Sequence, residues 1–136
     1  MIEIHHLTKR YGSFKAVDDI ELVAQSGKIT ILLGPNGAGK STTIKSIANL
    51  LKFEGNIQIC GYDNGSIEAK RCFGYVPETP VLYDLLTVDE HIDFIGHAYQ
   101  VENYKEKAQK YLELFHLTEK RKKMAKELSK GMTQKL

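Results

Sequence analysis

Apolar and polar positions trade places along the first 25 residues. Ile2 and Ile4, then Val17, Ile20 and Leu22, stand among polar neighbours. Such alternation predicts strands with one wet face, and Tyr11-Gly12-Ser13 punctuates them, so a strand, a turn and a strand are expected. Ser26-Gly27 then leads into the apolar run of residues 29–33, which reads as a buried strand. Residues 41–51 read as a helix with Ile44, Ile47, Ala48 and Leu51 on one face. Residues 55–61 form a short alternating segment between glycines, Asp63-Asn64-Gly65-Ser66 a turn, and residues 73–77 a strand stopped by Pro77.

From Thr87 the period changes. Val88, Ile92, Ile95 and Tyr99 fall at helical spacing, and Tyr104, Ala108, Tyr111, Leu112 and Phe115 repeat it on a second helix. A strand-rich first part is thus followed by a helical one. The alternating strands suit an antiparallel layer with one face in water, and the run at 29–33 suits a sheet covered on both faces. The fold class expected is α/β, a core with an antiparallel β layer at its start and a helical subdomain at its end.

The chemistry sits between the apolar run and the first helix. Gly34-Pro35-Asn36-Gly37-Ala38-Gly39-Lys40-Ser41-Thr42 matches G-x-x-x-x-G-K-[ST], a phosphate-binding loop. A glycine-rich turn entering a helix wraps backbone N–H groups around phosphate oxygens, and the helix start adds partial positive charge. Lys40 reaches the β- and γ-phosphates, the Ser41 hydroxyl is a hard oxygen ligand for Mg²⁺, and Thr42 adds a hydroxyl near the α-phosphate. A nucleoside triphosphate with Mg²⁺ is therefore the expected ligand, and the resemblance described below makes the nucleotide ATP.

Composition narrows the remaining choices. With 136 residues, 42% of them hydrophobic and 26% charged, the chain is one domain or part of one. A net charge of +2 is too small to argue for nucleic acid as a partner. Cys60 and Cys72 lack C-x-x-C spacing, and reduced thiols in a cytoplasmic compartment are expected. The first residues do not read as a signal peptide, and no stretch approaches the ~20 apolar residues of a membrane span. Lys120-Arg121-Lys122-Lys123 with Lys126 reads as a solvated helix face, and the five histidines lack metal-ligand spacing.

Three further segments make the chain resemble the ATP-binding subunit of an ABC (ATP-binding cassette) transporter. The first is Tyr11 with Val17, upstream of the loop. In that family an aromatic here stacks on adenine, and Val17 packs near ribose and base. The second is Gly74-Tyr75-Val76-Pro77-Glu78, where the family usually carries Gln after the proline to reach Mg²⁺ and the attacking water. Glu78 keeps an oxygen ligand and resembles a bacterial branch of exporter-type subunits. The third, Leu128-Ser129-Lys130-Gly131-Met132, resembles the family signature Leu-Ser-Gly-Gly-Gln, with Lys130 and Met132 departing from it. The resemblance implies that Ser129, Lys130 and Gly131 face the γ-phosphate held by a second subunit, in a head-to-tail dimer. It also implies a transmembrane permease partner and a place on the cytoplasmic face of the cell membrane.

In the family, an apolar run ending in Asp-Glu and then a switch His follow the signature. Neither follows Met132 here, so the chain is expected to be the first part of such a domain, with residues 1–80 as β-rich core and 81–136 as helical subdomain. By itself it is expected to be incompetent in hydrolysis, and weakly stable or self-associating where the strand at 29–33 has a bare edge. Leu85-Leu86-Thr87-Val88-Asp89-Glu90 imitates the apolar Asp-Glu run. Thr87 and Glu90, however, form T-x-x-E, a capping box that starts a helix. The competing functions are a soluble ABC-type ATPase acting on DNA or ribosomes and a catalytically dead ATP-binding fragment. The first is disfavoured because no heptad run appears.

Overall fold

The alternating segments pair as expected. In the computed structural model, which describes residues 1–136, β1 (Ile2–Tyr11) and β2 (Phe14–Ala24) form an antiparallel hairpin through Gly12-Ser13. β3 (Glu54–Ile59) adds antiparallel to the other edge of β1, and the short β4 (Tyr62–Asp63) follows it. The sheet order is β2-β1-β3-β4. The chain divides into two units, Met1–Tyr75 and Val76–Leu136, a boundary five residues before the one expected from sequence.

In the first unit Ile4, Leu7, Val17 and Ile57 are buried together, with Ile2, Ile20, Leu22, Ile47 and Phe53 packed around them. α1 (Lys40–Ile47) is shorter than residues 41–51. The helix stops where Asn49 turns to a φ of +55° and Leu50 N donates back to Lys45 O at 2.9 Å, and the amide of buried Asn64 donates to Ser46 O at 2.8 Å and Ile47 O at 3.1 Å. Ser46 O accepts from Asn49 N at 3.0 Å as well, so the last carbonyls of the helix are satisfied by the turn and by the Asn64 amide together. The buried positions of α1 are Thr43 and Ser46, not the apolar stripe, and Ile44 is exposed. α2 (Ile67–Cys72), capped by Ser66 Oγ accepting from Ala69 N, was not anticipated because six residues are too few to show a period.

Two expected strands are absent. Residues 29–33 form no ladder, and Ile29, Ile31 and Leu33 are 93%, 72% and 83% exposed. Residues 73–77 likewise pair with nothing. An apolar run becomes a strand only when a neighbour accepts its backbone hydrogen bonds, and no segment of these 136 residues lies beside either run in a ladder.

The second unit is built on α3 (Val88–Ala98), α4 (Tyr104–Leu114) and α5 (Lys130–Lys135). Val88, Leu112 and Leu117 are buried together, with Ile92, Leu128, Met132 and Leu136 against them. Each fully buried side chain of this size contributes ~1.5–3 kcal/mol. α3 and α4 approach closely at Gly96, where any Cβ would collide with the Tyr104 ring.

The start of α3 is fully satisfied. Val88 N donates to Lys123 O at 3.0 Å and Asp89 N to Arg121 O at 3.1 Å. Glu90 N donates to Thr87 Oγ1 at 3.2 Å, and His91 N to Thr87 O at 2.9 Å. Reciprocally, Thr87 N donates to Glu90 Oε2 at 2.7 Å. The T-x-x-E box is therefore real, and Asp89 is held by Arg121 Nε at 2.7 Å. The basic run is not the expected helix face. Its carbonyls cap α3, so its backbone follows an irregular path and leaves Lys122 and Lys123 exposed.

The capping box makes a testable statement. Thr87→Ala should destabilise the second unit by ~1 kcal/mol, read from chemical denaturation. The Thr87 backbone N–H, with the Thr87 hydroxyl second, holds the Glu90 carboxyl below its ordinary 4.5. A depressed carboxyl stabilises the fold above that value, and the contribution is lost as pH falls through the folded pKa. Melting temperature should therefore drop more steeply on acidification for the native protein than for Glu90→Gln.

Candidate functional site

The residues of the phosphate-loop motif come together with the first hairpin around one cavity of about 350 Å³. Gly39 is the pivot. It has φ +84° and precedes the first residue of α1, and a Cβ on it would lie 2.5 Å from Ala16 O and 3.1 Å from Val17 Cγ2. The loop is thus seated directly on the β2 backbone, in a conformation and at a distance open only to glycine. Gly39 O accepts from Thr43 N at 2.8 Å and Thr43 Oγ1 at 3.0 Å, and Ala38 N donates to Pro35 O at 3.2 Å.

The N–H groups of Gly37, Gly39, Lys40, Ser41 and Thr42 find no acceptor within the protein. They form a row of donors at a helix start that has no side-chain cap. Such a start attracts anions through both its free N–H groups and its partial charge. Lys40 Nζ donates to Gly34 O and Pro35 O, each at 2.7 Å. The ammonium is therefore folded back over the loop it would serve. Ser41 and Thr42 line the cavity with their hydroxyl-bearing side chains. Asn36 also lines it, while Gly34, Pro35 and Ala38 shape the loop behind.

The far wall is aromatic. Tyr11 ends β1 and Phe14 opens β2, paired across the tight turn, and both are exposed and line the cavity. Lys9 Nζ lies 4.9 Å from the centroid of the Tyr11 ring. Phe14 and Ala16 were missed in the sequence, although the pairing that follows from a two-residue turn places position 14 opposite position 11. Val17 sits differently from its expected place near a ribose. It is 6% exposed, in the core, supporting Gly39 from behind. Ala16, and not Val17, lines the cavity.

The second unit carries the other candidate residues. Glu78 is exposed, and its backbone carbonyl accepts from Gln134 Nε2 of α5 at 3.2 Å. The same segment is fastened further along, where Lys126 N donates to Asp84 O and Ala125 N to Leu86 O. Ser129 is the N-cap of α5, its Oγ accepting from Met132 N at 3.4 Å and its carbonyl from Thr133 Oγ1 at 3.0 Å. Lys130 and Gly131 are exposed at the first turn. Met132 packs on the cluster around Val88, which gives the apolar residue at this signature position a structural role.

Among the histidines, one has a clear structural place. His91 is 5% exposed and hydrogen-bonded through both ring nitrogens. No group of histidine, cysteine and carboxylate side chains is arranged to hold a metal. No helix is long and apolar enough to cross a membrane.

Comparison with known proteins agrees with this geometry. The family model described as ABC transporter matches residues 17–136. The SkfA peptide export ATP-binding protein SkfE of Bacillus subtilis (strain 168) is 35% identical over 139 residues, covering 100% of this chain and 58% of that protein. The linearmycin resistance ATP-binding protein LnrL of the same organism is 37% identical, covering 100% of this chain and 45% of that protein. A solved ATP-binding subunit of an ABC transporter superposes with a TM-score of 0.90 at 36% identity, covering 99% of this chain and 58% of that one. A dimeric ATP-binding cassette bound to ADP and Pi shares the fold, with a TM-score of 0.77 at 23% identity. This chain spans about half the length of the curated relatives it matches. With the phosphate-loop cradle in place and the family model covering all but its first residues, the chain belongs to the ABC transporter family, as part of an ATP-binding domain.

Proposed function

We propose that this chain binds ATP with Mg²⁺ and belongs to a subunit that hydrolyses ATP to drive transport across a membrane. The observation that carries the reading is the row of free amides at Gly37 and from Gly39 to Thr42, closed by Lys40 on one side and by Tyr11 and Phe14 on the other.

Each residue has a role set by its chemistry. The amides and the α1 start bind the phosphate oxygens. Lys40 exchanges two carbonyl partners for β- and γ-phosphate oxygens, where an ammonium gains more from full negative charge. Tyr11, with Phe14 beside it, offers a flat face for the base. Ser41 gives a hydroxyl to Mg²⁺, and the proposal of Glu78 as a further oxygen ligand rests on the motif at residues 74–78. When bound, the ion neutralises charge developing on the transferred phosphoryl group. Water attacks the γ-phosphate, releasing ADP and phosphate, with positioning and electrostatics as the main catalytic contributions.

A second ATP-binding subunit completes the site in this reading. Ser129, Lys130 and Gly131 approach the triphosphate held by the opposite copy, head to tail, and the paired subunits act on a transmembrane permease at the cytoplasmic face of the membrane. The dimeric cassette with ADP and Pi supports the pairing, and the roles that the relatives' names carry, peptide export and linearmycin resistance, support export as the direction.

Lys40→Ala should weaken ATP binding roughly ten- to hundredfold, the value of one lost charge-assisted hydrogen bond, measured by calorimetry. Unchanged affinity would contradict the cradle. In the subunit that carries this chain, Ser129→Ala should leave ATP affinity of the single copy unchanged and reduce ATP-dependent dimerisation in sedimentation. Equal dimerisation of the variant would contradict the signature role.

A further inference from the structure

The segment that follows Glu78 is fastened to α3 by one imidazole. Tyr83 N donates to His91 Nε2 at 2.8 Å, and His91 Nδ1 lies 3.1 Å from Thr87 O. The partners settle the proton. A backbone N–H only donates, so Nε2 must be bare, and a backbone carbonyl only accepts, so Nδ1 must carry the hydrogen. One neutral tautomer satisfies both contacts. The ring is 5% exposed, so water does not stand in for a lost partner. The Tyr83 ring, 5.3 Å from Phe94 in an edge-on arrangement, marks the same spot as the place where the segment meets α3.

We propose that His91 is the positioning residue of the segment from Glu78 to Leu86, and that protonating its ring releases that segment from α3. With a proton on Nε2, two N–H groups face each other across the former hydrogen bond. A buried donor pair without an acceptor is costly, and the segment moves away from the ring. The consequence reaches both ends of the segment, since Gln134 holds the Glu78 carbonyl and Lys126 N the Asp84 carbonyl. Charged and titratable groups surround the ring. Glu90 stands beside it on α3, and Lys107 of α4 lines the same cavity. Tyr83 from the segment, Tyr104 and Tyr111 from α4, and Leu136 after α5 complete the surroundings. This inference goes beyond the nucleotide reading and stands on the second unit alone.

The test is nuclear magnetic resonance on the isotopically labelled chain, across about pH 5–8, the range in which imidazoles titrate. At the alkaline end the His91 nitrogens should report Nδ1 protonated and Nε2 bare. A neutral ring protonated on Nε2 would overturn the proposal. Protection of the Tyr83 amide against hydrogen exchange, corrected for the intrinsic pH dependence, should fall about tenfold as the ring gains its proton. His91→Gln keeps an acceptor without a titrating group and should make that protection independent of pH. His91→Phe keeps a ring without an acceptor and should lose protection at every pH. Tyr83 protection that ignores pH in the native chain, or that still varies with pH in His91→Gln, would also overturn it. The native-chain and His91→Gln measurements decide the matter even where His91→Phe does not fold.

Discussion

Everything at the nucleotide end rests on a backbone-to-backbone approach between Gly39 and Ala16. The loop lies so close to β2 that a methyl group would strike Ala16 O, and its positive φ suits no other residue. That approach does two things at once. It fixes the direction in which α1 leaves the sheet, and hence where the free amides of Lys40, Ser41 and Thr42 point. It also sets the loop next to the hairpin that ends in Tyr11 and begins again at Phe14. A charged cradle and an aromatic wall thus share one cavity because one strand supports both. Val17 completes the arrangement from the core side, where its burial turns hydrophobic packing into support for the loop.

The second unit solves a different problem, that of irregular chain running along a helix bundle. Its non-helical segments satisfy one another: carbonyls of the basic run cap α3, and residues 84–86 are held by amides of 125–126. This explains why Glu78 and the signature segment belong to one hydrogen-bonded body despite lying some fifty residues apart in sequence, with Gln134 reaching back to the Glu78 carbonyl. It also explains the departure at Met132. The position is used for packing on Val88, Leu112 and Leu117, so an apolar side chain serves better there than an amide.

The sequence made the cradle readable because its signal is local. A glycine spacing, a lysine and a hydroxyl within nine residues define both the backbone path and the chemistry. The hairpin and the two long helices were readable for the same reason, through period and through Thr87 and Glu90. What escaped was non-local. Residues 29–33 have every strand propensity and form none, because pairing is decided by a neighbour and not by the run itself. The basic run looked helical until its carbonyls were needed at α3. Val17 lies in the core and Ala16 on the cavity because facing depends on register, and irregular pairing along β1 shifts it. Asn64 and His91 each satisfy partners eight or more residues away, which no window along the chain displays.

The central claim is that the amides of Gly37 and of Gly39 to Thr42 and the Lys40 ammonium form a triphosphate cradle. Titrating the ¹⁵N-labelled chain with ATP and Mg²⁺ examines it atom by atom. The account predicts saturable shifts confined to those amides, Tyr11 and Phe14, with the Lys40 side chain leaving the Gly34 and Pro35 carbonyls. Unmoved loop amides in the presence of excess nucleotide, or shifts confined to the second unit, would contradict it.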